Sequence, residues 1–156
     1  METDSAHLQE EADRLIFPHF TEDTALELGI ALVELAWAEA LPVVVDIRTP
    51  DRTLFHAALP GSAPDNDRWA QRKSATALLM HKSSLQVGTD LRASGETLQG
   101  RGLSPVDYAD HGGAVPVRVA GVGVVAAATV SGLPEREDHA LVVKAMQRVL
   151  AQLRPL

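Results

Sequence analysis

Two strand–turn–strand signals constrain this chain more than any other feature. Residues 43–47 read Val-Val-Val-Asp-Ile, a β-branched run, and residues 53–57 read Thr-Leu-Phe-His-Ala after a five-residue turn that carries Pro50 and Asp51. Residues 114–120 and 122–130 form a second pair around Gly121. Strands joined by so few residues run antiparallel, because a parallel pair needs a crossover of a dozen or more residues. The fold class expected is therefore α/β in the α+β sense: helices packed on an antiparallel sheet, not a doubly wound parallel one.

Helical periodicity fills the rest. Residues 5–17 place Leu8, Ala12, Leu15 and Ile16 on one face, and Pro18 ends the helix. Thr21 is a natural N-cap, with Glu22 and Asp23 in the first turn of a second helix that runs to about Ala40. That helix is apolar almost all round, which predicts burial on more than one face. After a loop with Pro60, Gly61 and Pro64, one of Asp65, Asn66 or Asp67 caps a third helix over residues 67–82. Residues 83–102 read as broken and partly helical, interrupted by Gly88, Gly95, Gly100 and Gly102. Ser104-Pro105 predicts a short helix to Tyr108. A last helix over 135–153 carries the stripe Val142, Ala145, Met146, Val149, Leu150 and Leu153. One domain over residues 1–156 is expected, with an N-terminal helix within 1–18 and a C-terminal helix over 134–153.

Bulk properties narrow the function classes. Hydrophobic residues make up 46% of the chain, enough for a packed core, yet the longest apolar run is far too short to cross a bilayer. The acidic N-terminus lacks the basic and apolar regions of a secretory signal, so a cytoplasmic location is expected. A net charge of −7 repels a phosphate backbone, so neither nucleic acid nor membrane is an expected partner. There is no cysteine, which excludes disulfides and thiolate chemistry.

The densest chemistry lies between residues 56 and 73. His56, Asp65, Asn66, Asp67, Trp69, Arg72 and Lys73 crowd one turn-rich loop and the helix start after it. Trp69 offers a flat apolar wall, Arg68 and Arg72 share a helix face suited to holding a carboxylate, and a histidine can carry a proton or a metal. His81, at the end of the same helix, joins the candidates. So does His111-Gly112-Gly113, where paired glycines let a backbone or a flat ligand approach closely. These distant stretches are expected to meet around one hollow, within or between protomers. Asp46 beside Arg48 reads as a structural salt bridge. His7 with Glu10 and Glu11 could hold a metal but reads better as a solvated face. Gly121-x-Gly123-x-x-Ala126 has the spacing of a dinucleotide fingerprint, but no helix opens on it, so it reads as a hairpin. No phosphate-binding loop and no nucleophile elbow is present. Catalytic residues, metal and enzymatic status stay unassigned. Two function classes follow: a binding protein for a small molecule or cofactor, or an interaction and assembly protein without catalytic activity, in which Trp69 and Arg72 anchor a contact.

The motifs Leu54-Phe-His56, Ala58-Leu-Pro-Gly-Ser62, Pro64-Asp-Asn-Asp67, Trp69, Arg72-Lys73, His81-x-Ser83, Val87-Gly88, His111 to Val117, Val130-Ser-Gly-Leu-Pro134 and Asp138-His139 together resemble the haem-degrading, or GlcG-like, family in its stand-alone branch. The match covers about residues 17–150. The resemblance implies a profilin-like three-layer α/β/α domain with an antiparallel sheet, and homo-oligomers that are dimeric or larger. It admits haem as a cofactor, as some relatives bind it, and small organic acids as ligands. The chain itself carries one tyrosine and no axial-ligand motif that transfers.

Overall fold

The computed structural model describes residues 2–153. Helix α1 (Glu2–Asp13) leads into a two-residue strand β1 (Ile16–Phe17), then α2 (Glu22–Ala38), the hairpin β2 (Val44–Arg48) and β3 (Thr53–Ala58), and helices α3 (Pro64–Met80) and α4 (Ser84–Ser94). A single 3-10 turn over Gln99–Arg101 precedes the second hairpin, β4 (Ala114–Val119) and β5 (Gly123–Ser131), and α5 (Glu135–Gln152) closes the chain. The sheet order is β1-β4-β5-β2-β3. Every pairing is antiparallel except β1 with β4, where Phe17 lies opposite Val119. The three-layer α+β architecture on an antiparallel sheet is thus present.

The first helix is shorter than its periodicity implies. A residue before proline is pushed out of the α region; Phe17 therefore extends, pairs with the sheet and is fully buried. A fifth strand results where four were expected. The stretch after α3 holds a regular helix, α4, capped by the Ser83 side chain accepting from Gln86 N at 3.1 Å. Gly88 does not break it; a Cβ there would stand 2.0 Å from Asp110 O, so the glycine serves a close approach. Ser104 begins only an isolated turn, with Tyr108 N donating to Ser104 O at 3.0 Å, and not a helix. The Gly121-x-Gly123 segment is a hairpin turn, with Gly121 at φ +75°.

The two sheet faces differ in kind. Val45, Ile47, Val115, Val117, Ala126, Ala128 and Val130 face α2 and α5, with Leu28, Leu32, Val142 and Met146, in one apolar core. The alternate residues face α3. There Ala77, Ala114 and Ala127 form a small apolar contact, but Asp46, Thr129 and Ser131 are buried beside Lys73 and Ser74. Ser74 Oγ and Thr129 Oγ1 are 2.7 Å apart across this layer. No helix of the structure is long and apolar enough to cross a membrane.

Candidate functional site

The local order of α3 decides where its side chains point. Pro64 sits at the first helical position, and Ala63 N donates to Asn66 Oδ1 at 2.9 Å, so Asn66, not an aspartate, fixes the first turn. Asn66, Trp69 and Lys73 then fall on one stripe of the helix. They meet the end of β5, the start of α5 and the glycine approach to β4 in a cleft of about 240 Å³, lined also by His111, Ser131, Gly132, Leu133, Glu135 and Asp138. The tryptophan-bearing helix start and the His111-Gly112-Gly113 segment therefore do share one hollow within a single chain.

Trp69 and His111 pack edge to face, with ring centroids 5.2 Å apart and planes at 82°. On Trp69 lies the Arg72 guanidinium, 4.4 Å from the ring centroid. Arg72 Nε donates to Pro105 O at 2.9 Å, so Arg72 braces the tryptophan and does not line the cleft. Arg68 is exposed and makes no ion pair among the described residues. In this arrangement the Arg72 guanidinium is held by Trp69 and Pro105 O.

The floor of the cleft is a buried ion pair. Lys73 is 4% exposed and Asp138 1%. Lys73 Nζ donates to Asp138 Oδ2 at 2.9 Å and to Val130 O at 3.4 Å. Asp138 also accepts from Leu133 N at 2.9 Å and Gly132 N at 3.3 Å, which pins the turn between β5 and α5. Burial pushes the Asp138 carboxyl above its ordinary value, while the Lys73 ammonium and the two backbone N–H groups pull against that rise. Taking both charges out of water costs several kcal/mol per ion before their attraction returns any of it.

The glycines make room for this pair. Gly113 has φ +141°, and a Cβ there would stand 2.4 Å from Val130 O and 2.8 Å from Lys73 Nζ. Gly112 closes on α5, where its N–H donates to Glu135 Oε1 at 3.3 Å and a Cβ would stand 2.6 Å from Glu135 O. The close approach expected of the paired glycines is made by the protein's own lysine and backbone.

The other candidates lie elsewhere. His56 bridges two acids: Nδ1 is 2.8 Å from Asp46 Oδ2 and Nε2 is 2.8 Å from Asp67 Oδ1. Asp46 is fully buried and takes both Arg48 Nε and Nη2 at 2.6 Å, the salt bridge expected of it. The chain Arg48–Asp46–His56–Asp67 ties β2, β3 and α3 together beside the cleft. Asp65 is exposed in the first turn of α3. His81 is the C-cap of α3, in the left-handed region at φ +56°, and lines a different cavity beneath α1. Among the described residues no group of three or more His, Cys, Asp or Glu could hold a metal, and Glu11 pairs with His139 and not with His7. Asp138, Glu135 and Ser131 line the cleft without having been candidates for it in the sequence. Acids at the start of α5 already have a sufficient local reason, the helix dipole. Only the burial of Lys73 shows that Asp138 has another.

Residues 20–147 match the family model described as haem degrading protein HbpS-like. A UPF0303 protein of Streptomyces coelicolor is 51% identical over 148 residues, 94% of each chain. Among solved structures, the Ybr137w protein aligns with a TM-score of 0.87 and 30% identity over 96% of this chain and 90% of that one. PduOC, solved as a haem complex, aligns with a TM-score of 0.71 over 82% of this chain and 93% of that one; at 21% identity that likeness is one of fold.

Proposed function

The chain belongs to the HbpS-like haem-degrading family, and from that premise we propose that it is a small-molecule-binding protein whose ligand sits against Trp69, Lys73 and His111. One observation carries the reading: a buried lysine–aspartate pair forms the floor of an open cleft, where packing alone gains nothing from it. An ammonium has three N–H donors. Asp138 and Val130 O take two of them, leaving one for a ligand oxygen. The Asn66 amide adds donors, Trp69 a flat wall and His111 an imidazole at the mouth. This set suits a small organic molecule with carboxylate or carbonyl oxygens.

The residues present do not fit a haem within one chain. The cleft, at about 240 Å³, falls below the roughly 300–1,000 Å³ of pockets that bury drug-sized ligands. Its floor is an ion pair, and Trp69 and His111 are its only rings.

The test uses the emission of Trp69 in a Trp37→Phe background. Titration with small mono- and dicarboxylates is expected to give a saturable change whose midpoint rises about tenfold or more in Lys73→Met, the worth of a charge-assisted hydrogen bond. A flat response to every acid would remove the proposal. A hemin absorbance shift lost in His111→Ala would put haem in its place.

The assembly reading has its own observation. Leu26, Ile30 and Trp37 recur along one outward face of α2, with Ile30 45% and Trp37 65% exposed. Such a stripe on a polar surface suits burial against a second copy, making the protein a homo-oligomer in which this face takes the place of Trp69 as anchor. Sedimentation is expected to show a mass of two or more chains for the wild type and a smaller one for Ile30→Glu. A monomeric wild type at micromolar concentration would refute the oligomer.

A further inference from the structure

The underside of α1 carries a second set of groups that the cleft does not use. Helix α1 is held by polar contacts: Ser5 Oγ donates to Asp90 Oδ1 at 2.5 Å, Gln86 Nε2 donates to Gln9 Oε1 at 3.0 Å, and Glu11 Oε1 lies 2.6 Å from His139 Nε2. Its apolar residues Leu8 and Ala12 are only half-buried. Beneath it a small cavity of about 30 Å³ is bordered by Glu11, His81, Arg118 and His139.

The basic groups around that cavity are short of acids. His139 is 6% exposed, and its Nδ1 is buried with no hydrogen-bond partner among the described residues. Arg118 Nη2 donates to His81 O at 2.8 Å, and among the described residues Arg118 has no carboxylate within ion-pair distance. A guanidinium has five N–H donors, so most of its capacity is unspent. The left-handed backbone at His81, the cap of α3, presents that carbonyl to Arg118 and sets the imidazole at the cavity wall. Lys82 is engaged with Asp90 at 3.2 Å and is not counted. Three basic side chains therefore border a cavity whose one lining carboxylate, that of Glu11, is paired with His139.

We propose that the pocket bordered by His81, Arg118 and His139 binds a small carboxylate that takes the place of Glu11, with α1 as its displaceable cover. The present occupant names the ligand class: the pocket already holds a carboxylate on His139 Nε2. The size follows too. The existing space is enough to hold a water, and the space vacated by the Glu11 carboxylate enlarges it to hold a formate or acetate. The site is separate from the cleft of Trp69 and does not depend on it.

Thermal melts of the full chain in sodium formate, against sodium chloride at equal ionic strength, test this. Glu11→Ala is expected to melt below the wild type and to regain stability as formate rises, saturating in the millimolar range, since a ligand that binds only the folded state raises its melting point. The wild type, with Glu11 competing, responds far less. Arg118→Gln in the Glu11→Ala background is expected to raise the midpoint about tenfold, the worth of a charge-assisted hydrogen bond. Should Glu11→Ala fail to fold, Glu11→Ser vacates the same space while keeping a polar side chain on α1, and the His139 imidazole nitrogen resonances then report formate directly, with a saturating shift expected. Equal responses of wild type and variant, rescue by chloride, or unmoved His139 resonances would each overturn the site.

Discussion

Asp138→Ala is expected to cost about 3–5 kcal/mol of folding stability, because removing one partner of a buried ion pair leaves the other charge uncompensated. For a domain of this size that is a fall in melting temperature on the order of 6–20 °C. The variant strands the Lys73 ammonium, which is 4% exposed, and also releases the Gly132 and Leu133 N–H groups. Lys73→Met combined with Asp138→Leu should recover most of the loss, since well-packed apolar side chains commonly replace a buried pair at little or no cost. It should not recover binding in the cleft. Chemical denaturation of the four forms, read as a double-mutant cycle, checks both statements; an Asp138→Ala variant within about 1 kcal/mol of wild type would mean that water reaches Lys73 and that the floor is not dry.

The same carboxyl gives a pH signature with a definite sign. Burial raises the folded-state value of Asp138 above its ordinary 3.8. A raised acid contributes stability that is complete below the unfolded value and is lost as pH rises through the folded value. The stability of the wild type relative to Asp138→Asn should therefore increase as pH falls from neutrality toward 3.8. The other carboxylates titrate in both proteins and cancel from the difference, which then reports the Lys73–Asp138 pair.

Gly113→Ala is the second large effect expected, about 3 kcal/mol or more. Two costs add. A residue with a side chain is strained at φ +141°, and its Cβ would overlap Val130 O and the Lys73 ammonium, at 2.4 and 2.8 Å. The β5 carbonyl is fixed by the sheet, so the lysine must give way. Urea midpoints of Gly113→Ala and Gly112→Ala make the comparison. Gly112 is crowded by Glu135 O at 2.6 Å but has no left-handed backbone, so its loss should be the smaller. Equal costs would show that backbone conformation at residue 113 is not what selects glycine.

The hairpins were legible because their signals are local: β-branched runs, short turns and a glycine at φ +75°. Strand β1 was not, because two residues carry no period and its pairing with Val119 is about a hundred residues away in the chain. Helix α4 was hidden by Gly88, whose reason is a neighbouring carbonyl that no local pattern records. In the candidate site, the odd mixture around Trp69 and the His111-Gly-Gly113 segment lie on facing walls of one cleft, and both were marked by local composition. The carboxylate beneath them was invisible, since an acid in a first helical turn satisfies every local rule. His56 stood out as unusual, yet its partners Asp46 and Asp67 come from another strand and from α3.

The unequal chemistry on the two sides of the sheet sets how this sequence can drift. Toward α2 and α5, one aliphatic group can stand in for another of similar bulk, and the layer absorbs the exchange by small shifts. Toward α3, the polar side chains satisfy one another's hydrogen bonds, so Asp46 with Arg48 and His56, and Ser74 with Thr129, can change only in concert. Divergent copies should thus wander freely in their oily half and keep the wording of their hydrogen-bonded half nearly intact.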